Sequence, residues 1–489
     1  MTKDVSQSRA AYLKELFLNQ LWQSANFVSK AAFLVILTPL MLRVWGKEYY
    51  GLFALSSSLL VSMALLDGGV TSLTRLRLAE ALKSGDRELF RGAYSEGLLT
   101  FASVVAVAVG GIAVLGSLGL LSRWLNLPAG GDFVLVITAL LTGIFMISVL
   151  IMQPLAAEGK LSALKAANTW GALVAIPVVA GALLVGASVL QVMVVYSLCQ
   201  IVPNLIVAWR SGILALKPWS LFWNAGVTAI FRTLRSGVWF YLTTVALMGK
   251  THVLTFVVSA IAGPAEAGIF YILLRLTEIV GNVGATASET SLASLAVAPS
   301  EKERAASFRH SWLYVGIFCL HGAVALSLLG DRIIHFWLSG AEILPNGTGA
   351  AMALFGLAGA FSRVVVNAAM GLSLVKPAAI ANLAEAGCNI VLAVVGYRIG
   401  GLCGLFIGGS VGIVFLLFPG RQIARLCGQS FIAAYLKPLV LLAPGLVIAA
   451  VLQGAARFSP SPLAWIGALA LSGMVAVWQL KRVHSHHAD

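Results

Sequence analysis

The chain has 489 residues, of which 59% are hydrophobic and only 11% charged, with a mean hydropathy of +0.92. A soluble globular chain carries about a quarter charged residues, so this composition excludes a soluble fold. The net charge of +14 does not indicate a nucleic-acid partner here, because Lys and Arg collect on the cytoplasmic side of membrane proteins.

Apolar runs long enough to cross a bilayer, about 20 residues each, recur along the chain. In order they cover 20–42, 49–72, 93–121, 132–153, 164–185, 188–209 and 233–259. They continue at 266–292, 310–330, 347–371, 377–397, 400–419, 432–452 and 462–480. The expected fold is therefore all-α and polytopic, with about fourteen transmembrane helices.

Of the 33 Lys and Arg residues, five fall within spans or at their ends: Lys30, Lys250, Arg275, Arg363 and Lys437. With the N-terminus in the cytoplasm, six lie on the opposite side: Arg43, Lys47, Arg123, Arg332, Arg398 and Arg457. The other twenty-two are cytoplasmic, a bias that supports an even number of spans with both termini inside. Twelve spans satisfy the same bias if one pair of runs stays outside the membrane.

The first span begins with a polar stripe. Asn19, Gln23, Asn26 and Lys30 are spaced to share one helix face, as suits the wall of a wet, cytoplasm-facing cavity. Span two contains Asp67, followed by Gly68-Gly69. The segment after it, with Arg75, Arg77, Lys83, Arg87 and Arg91 among leucines, reads as an amphipathic helix suited to anionic phospholipid.

An internal repeat links two turns. Gly46 and Gly51 precede Leu52-Phe53, and Gly263 and Gly268 precede Ile269-Phe270, at an offset of 217. Phe90-Arg91 is echoed by Phe308-Arg309 at 218. Two parallel six-helix halves, 1–210 and 211–425, are expected, with two further helices and a polar tail in 426–489.

Ionisable residues inside spans are costly and mark functional positions by default. The candidates for binding a head group or diphosphate are Gln23, Asn26, Lys30, Lys250, Arg275 and Arg363. Those for ion coupling, to H+ or Na+, are Asp67, Glu278, Glu289 and Glu385. Arg275 and Glu278, three residues apart, are placed to neutralise each other. The glycine groups at 68–69, 110–111, 281–284 and 400–401 suggest close helix packing or bending.

No signature of an enzyme is present. Gly249-Lys250-Thr251 lacks the earlier glycine of a phosphate loop, since that position holds Thr244. The five cysteines form no paired motif, so neither a metal site nor a disulfide framework is expected, and no cofactor.

The residues from Phe27 to Arg91 resemble the polysaccharide-biosynthesis and O-antigen flippases of the multidrug, oligosaccharidyl-lipid and polysaccharide exporter superfamily. The likeness rests on Trp45-Gly46, Tyr50 to Phe53, Leu66 to Gly69, and the second-half turn with Leu274-Arg275-Leu276. It implies two six-helix lobes around a cavity and alternating access. It further implies transfer of undecaprenyl-diphosphate-linked oligosaccharide to the periplasmic leaflet of a bacterial inner membrane, as part of lipopolysaccharide synthesis. Contact with glycan polymerase machinery, and a lipid groove formed by the last two helices, belong to the same expectation. Two other functions stay open: a multidrug or small-molecule exporter of the same superfamily, and a membrane glycan polymerase or ligase.

Overall fold

The computed structural model describes residues 2–64, 70–213, 227–298, 300–338, 344–345, 347–459 and 461–485. Among these every regular element is helical. Among the described residues, nine helices are long and apolar enough to cross a membrane, or eleven when each of two bent pairs is one span.

In chain order the helices are α1 (Thr2–Ala64), α2 (Val70–Ser84), α3 (Arg87–Ser117), α4 (Leu120–Leu125), α5 (Gly131–Ile151), α6 (Gln153–Ala157), α7 (Leu161–Leu184) and α8 (Val189–Arg210). They continue as α9 (Val227–Ala262), α10 (Pro264–Val297), α11 (Glu301–Trp337), α12 (Thr348–Gly371) and α13 (Val375–Gly408). After a short 3-10 stretch come α14 (Leu417–Leu426), α15 (Ala443–Arg457) and α16 (Pro462–Ser485).

Each of the fourteen apolar runs has a helical counterpart. Two pairs of runs fall on continuous stretches that glycines divide. In α1 the break is Gly46, with φ 72° and ψ 179°. Such a left-handed φ is open to glycine at little cost. In α13 the breaks are Gly400 and Gly401, the latter with φ 58°. Without these breaks, Ser24–Met63 would be a 40-residue span, about twice what the bilayer core needs. The end of the run 49–72, including Asp67, lies outside the described residues.

The helix starts have local causes. Asp86 caps α3, accepting from the amides of Glu88 and Leu89 at 2.9 Å. Ser188 and Gln191 form a reciprocal capping box on α8. The Ser300 hydroxyl accepts from the Glu303 amide on α11.

The chain forms two compact units: 1–244 with 255–269, and 245–254 with 270–489. In the first, Met63, Val70, Leu78, Tyr94, Leu98, Phe101 and Leu150 pack as one cluster. The two repeat turns also meet there. Gly263 has φ 88°, matching Gly46 in hand. A Cβ on Gly51 would collide with the Pro264 backbone, and one on Gly268 would lie 3.1 Å from the Gly51 Cα. The corresponding glycines of the two turns thus make one backbone crossing, the close approach that small residues permit between membrane helices.

Helix α2 is not merely laid on a surface. Val70, Thr74, Leu78 and Ala81 are buried along one face. Arg77 pairs with Glu96 at 3.0 Å, and Arg75 donates to the Gln153 amide oxygen at 3.0 Å. Leu76 and Leu82 remain exposed on its other side.

In the second unit, Phe308, Trp312 and Tyr435 form an aromatic knot, and the Trp312 indole donates to the Tyr435 carbonyl at 2.9 Å. Helices on either side of the Gly400 break pack as a tight hairpin. Gly396 and Gly404 are in mutual backbone contact, and Gly408 lies against the Leu392 carbonyl. The Gly412 amide donates to the Asn389 side chain at 2.7 Å. Of the two roles expected for Gly110 and Gly111, close packing or bending, the first is not seen among the described residues: both face outward with nothing near their Cβ positions.

Candidate functional site

Most of the charged candidates converge in the second unit. Helix α9 supplies Lys250 and His252, α10 supplies Tyr271, Arg275 and Glu278, α12 supplies Ser362 and Arg363, and α13 supplies Glu385. The hairpin glycines bring this part of α13 into register, since Gly412 sits against the Glu385 carbonyl.

Three of these residues close a ring. The Lys250 ammonium donates to the Ser362 hydroxyl at 2.6 Å and to Glu385 Oε1 at 2.7 Å. The Ser362 hydroxyl donates to Glu385 Oε2 at 2.8 Å. All three side chains are buried, the charged pair at 4% and 1% exposure. A charge so far from water persists only when paired and hydrogen-bonded, and this ring satisfies both carboxylate oxygens. Lys250 is therefore an interior residue rather than an interfacial anchor.

The second set is built along α10. The Arg275 guanidinium donates to Glu278 Oε2 at 2.6 Å and to the Tyr271 hydroxyl at 2.8 Å, and lies 4.6 Å from the Tyr271 ring centre. Tyr271 and Glu278 lie four residues before and three after Arg275, so helical periodicity alone places all three together. The other Glu278 oxygen faces His252 Nε2 at 3.5 Å. His252 is 5% exposed. Arg363 acts electrostatically on Lys250, His252 and Glu278 alike, which makes the two sets one charge cluster. Arg275, Glu278 and Arg363 are only partly buried.

His252 carries no sequence signal of its own. Its partner lies 26 positions away on the next helix, at a spacing no periodicity connects. Glu385 and Lys250 are each visible as ionisable residues within spans, but their pairing bridges 135 positions.

The first unit holds a separate, uncharged group. The Thr169 hydroxyl on α7 bonds the Trp22 carbonyl of α1 at 3.1 Å. The Phe33 ring of α1 lies 5.1 Å from the Tyr196 ring of α8, tilted by 55°. On the same three helices, Asn26 Nδ2 of α1, Asn168 Oδ1 of α7 and Gln200 Nε2 of α8 are buried atoms with no hydrogen-bond partner among the described residues. Lys30, one turn beyond Asn26, is exposed. The side chains of Gln23 and Glu289, like the whole of Asp67, lie outside the described residues. Among the described residues no cluster of His, Cys, Asp and Glu suits a metal ion.

No protein-family model and no curated protein sequence matches the chain. Solved structures do. Lipid II flippase MurJ in an inward closed conformation aligns with a TM-score of 0.72 at 14% identity, covering 96% of this chain and 100% of that one. An inward-facing multidrug-resistance MATE family transporter of the MOP superfamily aligns at 0.62 and 15% identity, covering 85% and 98%. The MATE multidrug transporter DinF-BH aligns at 0.60 and 14%, covering 83% and 95%. The chain has the fold shared by these MATE transporters and the lipid II flippase.

Proposed function

We propose that the chain is a flippase that moves undecaprenyl-diphosphate-linked oligosaccharide from the cytoplasmic to the periplasmic leaflet of a bacterial inner membrane. The observation that carries this reading is the MurJ likeness, which spans nearly the whole of both chains, against the shorter coverage by the drug transporters. The two lobes of the proposed cycle are 1–210 and 211–425. Helices in 426–489, beyond a twelve-helix transporter, supply a surface for the polyprenyl tail.

In this reading the transporter works by alternating access and changes no covalent bond. Arg363 and Arg275, the partly exposed cations of the second-unit cluster, attract the diphosphate. Guanidinium groups suit phosphate because their planar donors can bond two oxygens at once. Asn26, with Gln23 and Lys30 on the same helix, contacts sugar; its unpartnered amide is a donor that a hydroxyl or water satisfies. The carboxylates Glu278 and Glu385, with Asp67 and Glu289, are the candidates for coupling to a proton or sodium ion. Contact with glycan polymerase machinery would hand the product on.

The test is leaflet transfer of a labelled undecaprenyl-diphosphate oligosaccharide in vesicles containing the purified protein, with and without a proton gradient. Transfer above protein-free vesicles supports the flippase, and its gradient dependence supports proton coupling. Absence of transfer of the cognate glycan by folded protein overturns it. The buried carboxylates and the MATE likeness would then favour an exporter of amphiphilic cations.

A further inference from the structure

The chain carries no Asp or Glu between Glu385 and Asp489, yet two arginines of that stretch stand exposed on one helix. Helix α14 is amphipathic. Pro419, Gly420, Ile423 and Ala424 are buried, while Phe418, Arg421 and Arg425, spaced i, i+3 and i+7, share the opposite, exposed face. Neither arginine makes a hydrogen bond or an ion pair among the described residues. Glu301 and Glu303 open α11, which meets the far end of α14. There Arg304 donates to the Leu426 carbonyl and Glu301 lies against Gly428.

This helix stands where a span leaves the bilayer. The stretch Val375–Leu426 is apolar enough to cross, and exposed Val414, Phe415 and Phe418 precede the arginines. The Lys and Arg bias assigns this end to the cytoplasmic leaflet, which carries the anionic lipid. A second apolar stripe lies beside the first. The Tyr435 hydroxyl donates to the Gly420 carbonyl at 3.1 Å, packing the next segment on α14, and Ile432 and Leu436 stay exposed on that segment. Two apolar stripes with two guanidiniums at their polar end match a lipid with two chains and one anionic phosphate. A polyprenyl lipid has a single chain and would cover one stripe. Guanidiniums suit the phosphate because their planar donors can bond two oxygens at once. The basic turn between α2 and α3 lacks this arrangement, since exposed Lys83, Arg87 and Arg91 are matched there by exposed Glu80, Asp86 and Glu88.

We infer that the exposed face of α14 is a binding site for an anionic phospholipid of the inner leaflet. Arg421 and Arg425 hold its phosphate. One acyl chain lies along Phe418 and the other along Ile432 and Leu436. The site is independent of the flippase reading and of the charge cluster around Lys250 and Arg275.

The test is native mass spectrometry of the purified full-length protein, reading the Kd of the first lipid bound. Phosphatidylglycerol is titrated against phosphatidylethanolamine of the same acyl chains. Wild type is expected to bind phosphatidylglycerol about tenfold tighter or more. Arg421→Gln and Arg425→Gln should each weaken that binding about fivefold, and the double variant about thirtyfold. Phosphatidylethanolamine binding should change little. The control is Arg210→Gln, an exposed arginine that ends α8, which should match wild type. Should the double variant fail to fold, the single variants and the wild-type preference still decide.

No preference for phosphatidylglycerol in wild type, or a preference that survives loss of both arginines, overturns the inference. An equal loss in Arg210→Gln also overturns it, because any arginine at a span end would then serve. Undecaprenyl diphosphate is added as competitor. Phosphatidylglycerol that holds the site at equal concentration supports the assignment. Its displacement, with the same dependence on Arg421 and Arg425, would make this a substrate site and overturn the phospholipid as its occupant. Leaflet transfer by Arg421→Gln/Arg425→Gln vesicles is read separately and bears only on the flippase.

Discussion

Lys250, Ser362 and Glu385 show what a lysine and a glutamate need inside an apolar helix bundle. Each charge has the other within 2.7 Å, and the serine bonds both. Removing one partner strands the other, which typically costs about 3–5 kcal/mol. Lys250→Met and Glu385→Gln are therefore each expected to lower the Tm of the purified protein sharply. The double variant, with no charge left in the ring, should recover most of the loss. Losses that simply add in the double variant would show that the two residues do not act as a pair. The same logic explains why these residues can be nominated from sequence and not assembled. Rarity of charge in a span is a local property, whereas pairing depends on which helices the fold brings together.

At the scale of the helix, spans are legible because the membrane demands apolar runs of a set length; the break at Gly46 falls between two runs separate in the sequence, and the break at Gly400-Gly401 falls at the start of the run 400–419. The role of individual glycines is less legible. Gly404 and Gly110 look alike in sequence, each a glycine in an apolar helix. Gly404 meets the Gly396 backbone, where no side chain fits, while Gly110 faces outward with free space. Gly404→Leu is expected to spread the hairpin and unfold the protein at markedly lower temperature. Gly110→Ala should be neutral or stabilising by about 0.5–1 kcal/mol, the usual gain from removing a helical glycine. Equal effects of the two would refute the packing assigned to the hairpin. For α2 the amphipathic pattern is correct, but periodicity reports only that one face is apolar. That this face packs on protein, with Gly97 making room for Thr74, is a property of the fold.

For the whole molecule, identity of 14% with a TM-score of 0.72 means that the pattern of spans and breaks, rather than particular side chains, carries the architecture. Orientation follows from a different quantity, the distribution of Lys and Arg between the two sets of loops. Loops rich in Lys and Arg tend to stay on the cytoplasmic side during insertion, so the bias acts on the chain as a unit. Ser84 ends α2 among basic residues, and Ser461 lies before α16 on the side the bias assigns to the periplasm; both are exposed. In a background with the five native cysteines replaced, a membrane-impermeant maleimide added to intact cells should label Ser461→Cys and not Ser84→Cys. Permeabilised cells should label both. The reverse pattern would invert the orientation. Labelling of both positions from outside would require an even number of crossings between them. The eleven apolar runs from 93 to 452 make that number odd, so such a result would remove one of them from the membrane.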